Sequence, residues 1–331
     1  MERFALAAAV VLGFALTAAL CSLFVPLRRV LERREQNQQP VQPEQPRPAP
    51  LRAPLWGGLC AAAGTVAAVG VGWLAACVGQ PELLGSEGRL MTRLLTALAG
   101  SLAFGAVGLA EDLARMRSPA ALGLRRDVRL LLEALAAAFV LLLLQAAGCL
   151  PRGLDVPGAG YVLLGSAVPF LWAVLMVVLA ECARIAERDE GTVCGAAFVA
   201  MLALMMAEAG LGVPGLAVLP AALAGALVAL LLWAFPPARL GVGCCGSLLA
   251  AGAIGCIPLS LDMTSLTVPL ALPFWAAGGL LAAQLLGAKR TGKPLRCWVK
   301  KHKMSPETVF LCSFALSAVG YVLALALLRW C

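Results

Sequence analysis

Charge is what this sequence has least of. Lysine, arginine, aspartate and glutamate make up 13% of its 331 residues, against roughly 25% in soluble domains. Too few polar side chains remain to cover a water-soluble globule, so that class is excluded. Regular alternation of apolar and polar residues over segments of about ten is also missing, which excludes a membrane β-barrel. The twelve cysteines include no pair at the spacing of metal ligands, and most lie inside apolar runs. Histidine occurs once, at His302. A small-residue cleavage site is lacking after the first apolar run, which ends instead in Pro26, Arg28 and Arg29 and reads as a stop-transfer end rather than a signal peptide.

What is present is a series of apolar runs of about 20 residues, the length a helix needs to cross a hydrocarbon core of about 30 Å. Ten are expected, over residues 4–27, 55–78, 90–110, 128–148, 161–181, 193–212, 214–235, 243–261, 266–287 and 307–329. In lipid such runs satisfy their backbone only as helices, so the fold expected is an all-α integral membrane protein, one polytopic domain over residues 1–331. Residues 32–54 are rich in Pro, Gln and Arg without apolar periodicity and are expected to form a flexible loop. The odd-numbered loops hold 21 of the 26 lysines and arginines. The positive-inside rule then places those loops in the cytoplasm and both termini outside. The net charge of +8 suits that topology and anionic lipid headgroups.

The polar residues gather in those same loops. Pro237-Ala238-Arg239-Leu240-Gly241-Val242-Gly243-Cys244-Cys245-Gly246-Ser247-Leu248 is a basic, glycine-rich turn between two apolar runs. Backbone N–H groups of Gly243, Gly246 and Ser247 at a helix start would form an anion cradle. The second span opens on Pro54-Leu55-Trp56-Gly57-Gly58. Glu111 and Asp112 are adjacent carboxylates at the end of the third span, a costly placement at a membrane boundary. A hard cation such as Mg²⁺ would account for them, and so would a polar helix end. Gly123, Arg129 and Glu133 follow. The fifth loop carries Glu181, Arg184, Glu187, Arg188, Glu190 and Gly191, and the ninth carries Lys289-Arg290-Thr291-Gly292-Lys293, then Lys300-Lys301-His302 and Glu307.

In this order and at these span ends, the motifs resemble those of the polyprenyl-phosphate phospho-sugar transferases, glycosyltransferase family 4, nearest its MraY-like, pentapeptide-transferase branch. The glycine-rich turn matches P-A-(K/R)-V-x-M-G-D-x-G-S-L, with Cys244 where the family has a metal-contacting aspartate. The others resemble P-T-M-G-G, of which Pro54, Gly57 and Gly58 are kept; G-x-x-D-D-x-x-K, with Glu111 for Asp and Arg115 for Lys; and G-L-x(4)-K-x(3)-Q, with Arg129 for Lys and Glu133 for Gln. In the stretch that corresponds to N-x-x-N-x-x-D-G-x-D-G, Arg184 replaces Asn, Glu187 and Glu190 replace Asp and Arg188 replaces Gly, so that only Gly191 is unchanged; K-x-T-G-(K/R) is kept at 289–293, and the histidine triplet after it is reduced to His302. The resemblance implies an MraY-like bundle of ten helices. It also implies transfer of a phospho-sugar, phospho-MurNAc-pentapeptide or a relative, from a UDP-sugar to polyprenyl (undecaprenyl) phosphate at a bacterial-type plasma membrane, with Mg²⁺. Catalytic roles then fall to Glu111, Asp112 and position 244, and metal binding to Glu111, Asp112, Glu187 and Glu190. Substrate contacts fall to Arg115, Arg129, Arg184, Gly243, Gly246, Ser247, Lys293, Lys300, Lys301 and His302. A thiol is a poor partner for Mg²⁺, so two readings stand: an impaired transferase, or a non-catalytic member that binds polyprenyl phosphate or a nucleotide sugar as regulator or scaffold. No nucleic-acid partner is implied, and a homodimer is left open.

Overall fold

The computed structural model describes residues 2–38, 56–79, 88–117, 123–151, 153–156, 160–163, 165, 167–187, 191–212, 215–235, 238–286 and 305–330. The helices are α1 (Glu2–Gln38), α2 (Gly57–Gly79), α3 (Gly88–Arg117), α4 (Arg126–Ala146), α5 (Ala167–Ala186), α6 (Thr192–Gly210), α7 (Val218–Ala234), α8 (Gly243–Ser260), α9 (Thr267–Leu270), α10 (Leu272–Leu286) and α11 (Pro306–Trp330). A two-stranded antiparallel hairpin, β1 (Gly153–Val156) and β2 (Gly160–Leu163), interrupts them with Gly153 opposite Leu163. Seven helices among the described residues, namely α1, α2, α3, α5, α6, α8 and α11, are long and apolar enough to cross a membrane. The protein is therefore an all-α membrane protein, and each of the ten expected runs contains helix.

Three boundaries depart from expectation. Helix α1 continues to Gln38, so residues 32–38 are helical; the Arg- and Glu-rich sequence after Pro26 contains good helix formers and no further breaker before Gln38. The rest of the expected loop lies outside the described residues. Residues 160–163 pair as a strand, and α5 starts only at Ala167. The ninth expected span is broken at Ala271 between α9 and α10. Pro273 has no N–H to give the Pro269 carbonyl four residues back, and its ring crowds that carbonyl.

Helix α8 is the axis of the molecule: every residue from Gly243 to Ser260 is buried. Its sequence is mostly Gly, Ala, Ser and Cys between Leu and Ile, and small residues let neighbouring backbones approach closely. Helix α3 lies along one side of it, with α2, α5 and α6 around the rest, while α1 packs on α2 and α7. Two glycines set the closest approaches. A Cβ on Gly108 of α3 would run into the Cys244 carbonyl, and one on Gly58 of α2 into the backbone nitrogen of Gly246. The first turn of α2 is also tied to the turn ahead of α8, because Gly57 N–H donates to the Gly241 carbonyl at 3.2 Å and Gly58 N–H to that of Val242 at 2.9 Å. Two donors that a helix start leaves without partners are thus satisfied from another segment. Phe24 stacks on Trp56 at 5.6 Å between ring centroids, fastening α1 to the same corner.

Candidate active site

One end of the bundle gathers the last turns of α3 and α5 and the first turns of α2, α4 and α8. At its centre, Gly243 takes a φ of +73°, a left-handed value that glycine adopts without strain, and so turns the chain into α8. The first N–H groups of that helix point toward α3. Asp112 meets them: its Oδ1 accepts Cys244 N–H at 3.0 Å and its Oδ2 accepts Cys245 N–H at 2.9 Å. The carboxylate is 1% exposed. It caps α8 from another helix, placing negative charge at the positive end of the helix dipole.

The neighbouring acid is differently placed. Glu111 Oε1 accepts Arg115 Nη2 at 2.6 Å and stands 3.6 Å from Arg129 Nη1, while its buried Oε2 has no hydrogen-bond partner. Arg115 also lies 3.8 Å from Asp112. Arg129, on α4, donates Nε–H to Glu181 Oε1 at 2.7 Å, and Arg184 donates Nη2–H to Glu181 Oε2 at 2.6 Å. Beneath Arg129, 3.9 Å away, Glu133 is wholly buried with neither carboxyl oxygen hydrogen-bonded. The result is an alternating string across α3, α4 and α5: Asp112, Arg115, Glu111, Arg129, Glu181, Arg184.

The Cys244 thiol is buried beside this string, within electrostatic reach of Glu187, Glu111, Asp112 and Arg115. Glu187 also acts on Arg115. Among the described residues the site therefore sets five carboxylates against three guanidinium groups. No three His, Cys, Asp or Glu side chains among the described residues come together as a metal-holding group. Mg²⁺ needs fewer, since it is held by one or two carboxylates plus substrate phosphates and water. Glu111 Oε2, a buried carboxylate oxygen with no hydrogen-bond partner, fits that requirement; the Cys244 sulfur does not.

Of the residues singled out from the sequence, Glu111, Asp112, Arg115, Arg129, Arg184, Glu187 and Cys244 converge here. Gly243 forms the turn. Gly246 and Ser247 lie inside α8, Gly246 against Gly58 and the Ser247 hydroxyl donating to the Cys244 carbonyl at 3.1 Å. The N–H groups that hold an anion are those of Cys244 and Cys245, and the anion is the protein's own Asp112. Glu190, Lys293, Lys300, Lys301 and His302 lie outside the described residues. Sequence reasoning passed over the bridging role of Glu181. Its spacing of three residues before Arg184, neighbours on a helix face, was the available signal.

Carboxylates and arginines near the ends of α3, α4 and α5 thus meet around the glycine-opened head of the buried central helix of an all-helical membrane fold. Residues 94–262, just over half of the chain, match the model of glycosyl transferase family 4, and the protein belongs to that family. It is 28% identical over 265 residues to the phospho-N-acetylmuramoyl-pentapeptide-transferase of Mycobacterium tuberculosis, covering 72% of each chain. It is 34% identical over 170 residues to that of Desulforudis audaxviator, covering 48% of this chain and 50% of the relative. With that of Synechococcus sp. it is 32% identical over 215 residues, 63% of this chain and 55% of the relative.

Proposed function

We propose that the protein transfers a phospho-sugar from a UDP-sugar, phospho-MurNAc-pentapeptide or a close relative, to polyprenyl phosphate, at a rate lowered by Cys244. An oxygen of the polyprenyl phosphate forms a bond to the sugar-bearing phosphorus of the donor. The bond from that phosphorus to the bridging oxygen breaks, and UMP leaves with the electron pair. The attacking phosphate is already an oxyanion, so the work of the site is to position anions and offset their charge. The observation that carries this reading is the joint between Asp112 and the head of α8, with Glu111, Arg115 and Glu187 around it.

Asp112 holds the α8 turn against α3, fixing the backbone around which the phosphates would bind. Arg115, the most exposed of the three arginines at 22%, is the described cation best placed to meet a diphosphate. Glu111, with Glu187 near by, would hold Mg²⁺, which supplies charge neutralisation of the phosphates when bound. Cys244 adds no charge there, and losing one such carboxylate removes several kcal/mol of transition-state stabilisation, a rate factor of about 10³. The excess of positive loops supports a site facing the cytoplasm of a bacterial-type cell.

A second reading has its own support. Cys244, a buried thiol at the head of α8, stands where the family motif has its aspartate and is a poor partner for Mg²⁺, which suits a member that binds donor or lipid without turning it over. UMP release with UDP-MurNAc-pentapeptide, undecaprenyl phosphate and Mg²⁺ separates the two. Slow release that Glu111→Gln abolishes supports the transferase; donor binding with no release supports the binder.

A further inference from the structure

The Glu181 carboxylate is gripped from two sides by guanidinium groups of two different helices, Arg129 of α4 at 2.7 Å and Arg184 of α5 at 2.6 Å. Both lengths are those of charge-assisted bonds. Two converging guanidinium groups are also what a phosphate requires, and Glu181 has the charge sign and fork geometry to stand in for one. Three observations separate the grip from its occupant. Arg129 is anchored from behind by Glu111 at 3.6 Å and Glu133 at 3.9 Å, so it keeps countercharge when Glu181 moves. Arg184 has a buried Nε–H with no hydrogen-bond partner, a donor that the two oxygens of a carboxylate leave unused. Glu181 is the outermost of the three side chains, 23% exposed against 8% for Arg129 and 12% for Arg184.

We propose that Arg129 and Arg184 form an oxyanion clamp whose resting occupant is Glu181, and that a phosphate-type ligand enters it by displacing that carboxylate. The identity of the natural ligand rests on the transferase reading; the clamp rests on its own geometry. Glu181 is then a specificity-determining residue. An anion must compete with a tethered carboxylate, so weakly held singly charged anions are refused, whereas a diphosphate offers more oxygens than the two Glu181 supplies. The measured affinity equals the intrinsic one scaled by the fraction of clamp that Glu181 leaves open.

The test is calorimetric titration of the full chain in detergent with inorganic pyrophosphate at low salt. Glu181→Gln removes the competing charge and is expected to bind pyrophosphate about tenfold more tightly than wild type. Combining it with Arg184→Gln is expected to abolish that gain. Unchanged or weaker binding by folded Glu181→Gln overturns the clamp. Should that variant not fold, Glu181→Asp, whose shorter side chain reaches only one arginine well, carries the test: tighter binding than wild type supports the clamp, equal or weaker binding overturns it. The same variants titrated with UDP-MurNAc-pentapeptide separate the two proposals. A pyrophosphate gain without donor binding keeps the clamp and removes the donor reading. Donor binding by wild type that is indifferent to Glu181→Gln does the reverse.

Discussion

Asp112, near the end of α3, accepts the backbone N–H of Cys244, 132 residues away at the head of α8, at 3.0 Å. Its other oxygen takes the next N–H, of Cys245. One carboxylate thus fastens the most buried helix to its longest neighbour at the point where the family has a metal-contacting aspartate and this chain has a thiol.

Asp112→Ala leaves two buried N–H groups without an acceptor. A hydrogen bond to a charged group contributes about 1.5–3 kcal/mol, so the loss of two is expected to cost about 3–6 kcal/mol. Asp112→Asn, which keeps one acceptor, should lose about half as much. Thermal unfolding in detergent reads both, and equal stability of wild type and Asp112→Ala would remove the capping role.

Gly108→Ala places a methyl group against the Cys244 carbonyl. Neither backbone can yield cheaply, and overpacking of this kind costs about 1–3 kcal/mol. Gly70 of α2 has nothing within 4 Å of the added carbon, so Gly70→Ala should fall within about 0.5 kcal/mol of wild type. The difference in midpoint temperature between the two variants measures how tightly α3 and α8 are seated.

Arg129 touches Glu111, Glu133 and Glu181. Arg129→Ala leaves the buried Glu133 without its ion-pair partner and Glu111 and Glu181 with one arginine each, and breaking a buried pair typically costs about 3–5 kcal/mol. Arg129→Lys keeps the charge but loses the planar fork and should lie between. The order wild type, Lys, Ala in resistance to denaturant is the expected result; a stable Ala variant would mean the string is solvated rather than structural.

Cys244→Asp adds a carboxylate beside Glu187, Glu111 and Asp112. Like charges in a buried site repel, so without divalent cation the variant should melt below wild type. Because Mg²⁺ would bind the added carboxylate, it should raise the variant's midpoint by several degrees and wild type's by less. An equal Mg²⁺ response in both proteins would detach position 244 from the metal.

The helices, the acidic pair Glu111–Asp112 and the glycine turn at Gly243 were legible because each is written locally, in a run, a pair or a spacing. The bond from Asp112 to Cys244 was not, since it joins residues far apart in sequence and no local pattern says where a carboxylate's hydrogen bonds end. The sequence makes Asp112 a catalytic and metal-binding candidate; the structure adds that each of its oxygens accepts an N–H of α8. Glu181 was hidden because half of its environment, Arg129, lies 52 residues earlier. The break at Ala271 had a visible cause in Pro269 and Pro273, outweighed by the unbroken apolar composition around them. The hairpin at 153–163 was masked likewise, because Tyr161, Val162 and Leu163 extend an apolar run as readily as they pair.

The most direct test of the central claim, an intact transferase scaffold slowed at one residue, is the rate of UMP release by wild type and Cys244→Asp side by side. Both proteins are purified in detergent with Mg²⁺, undecaprenyl phosphate and UDP-MurNAc-pentapeptide. The account predicts slow release by wild type and an increase of about 10² or more in the variant. No release from a folded, donor-binding Cys244→Asp, or release by wild type as fast as by the variant, would contradict it.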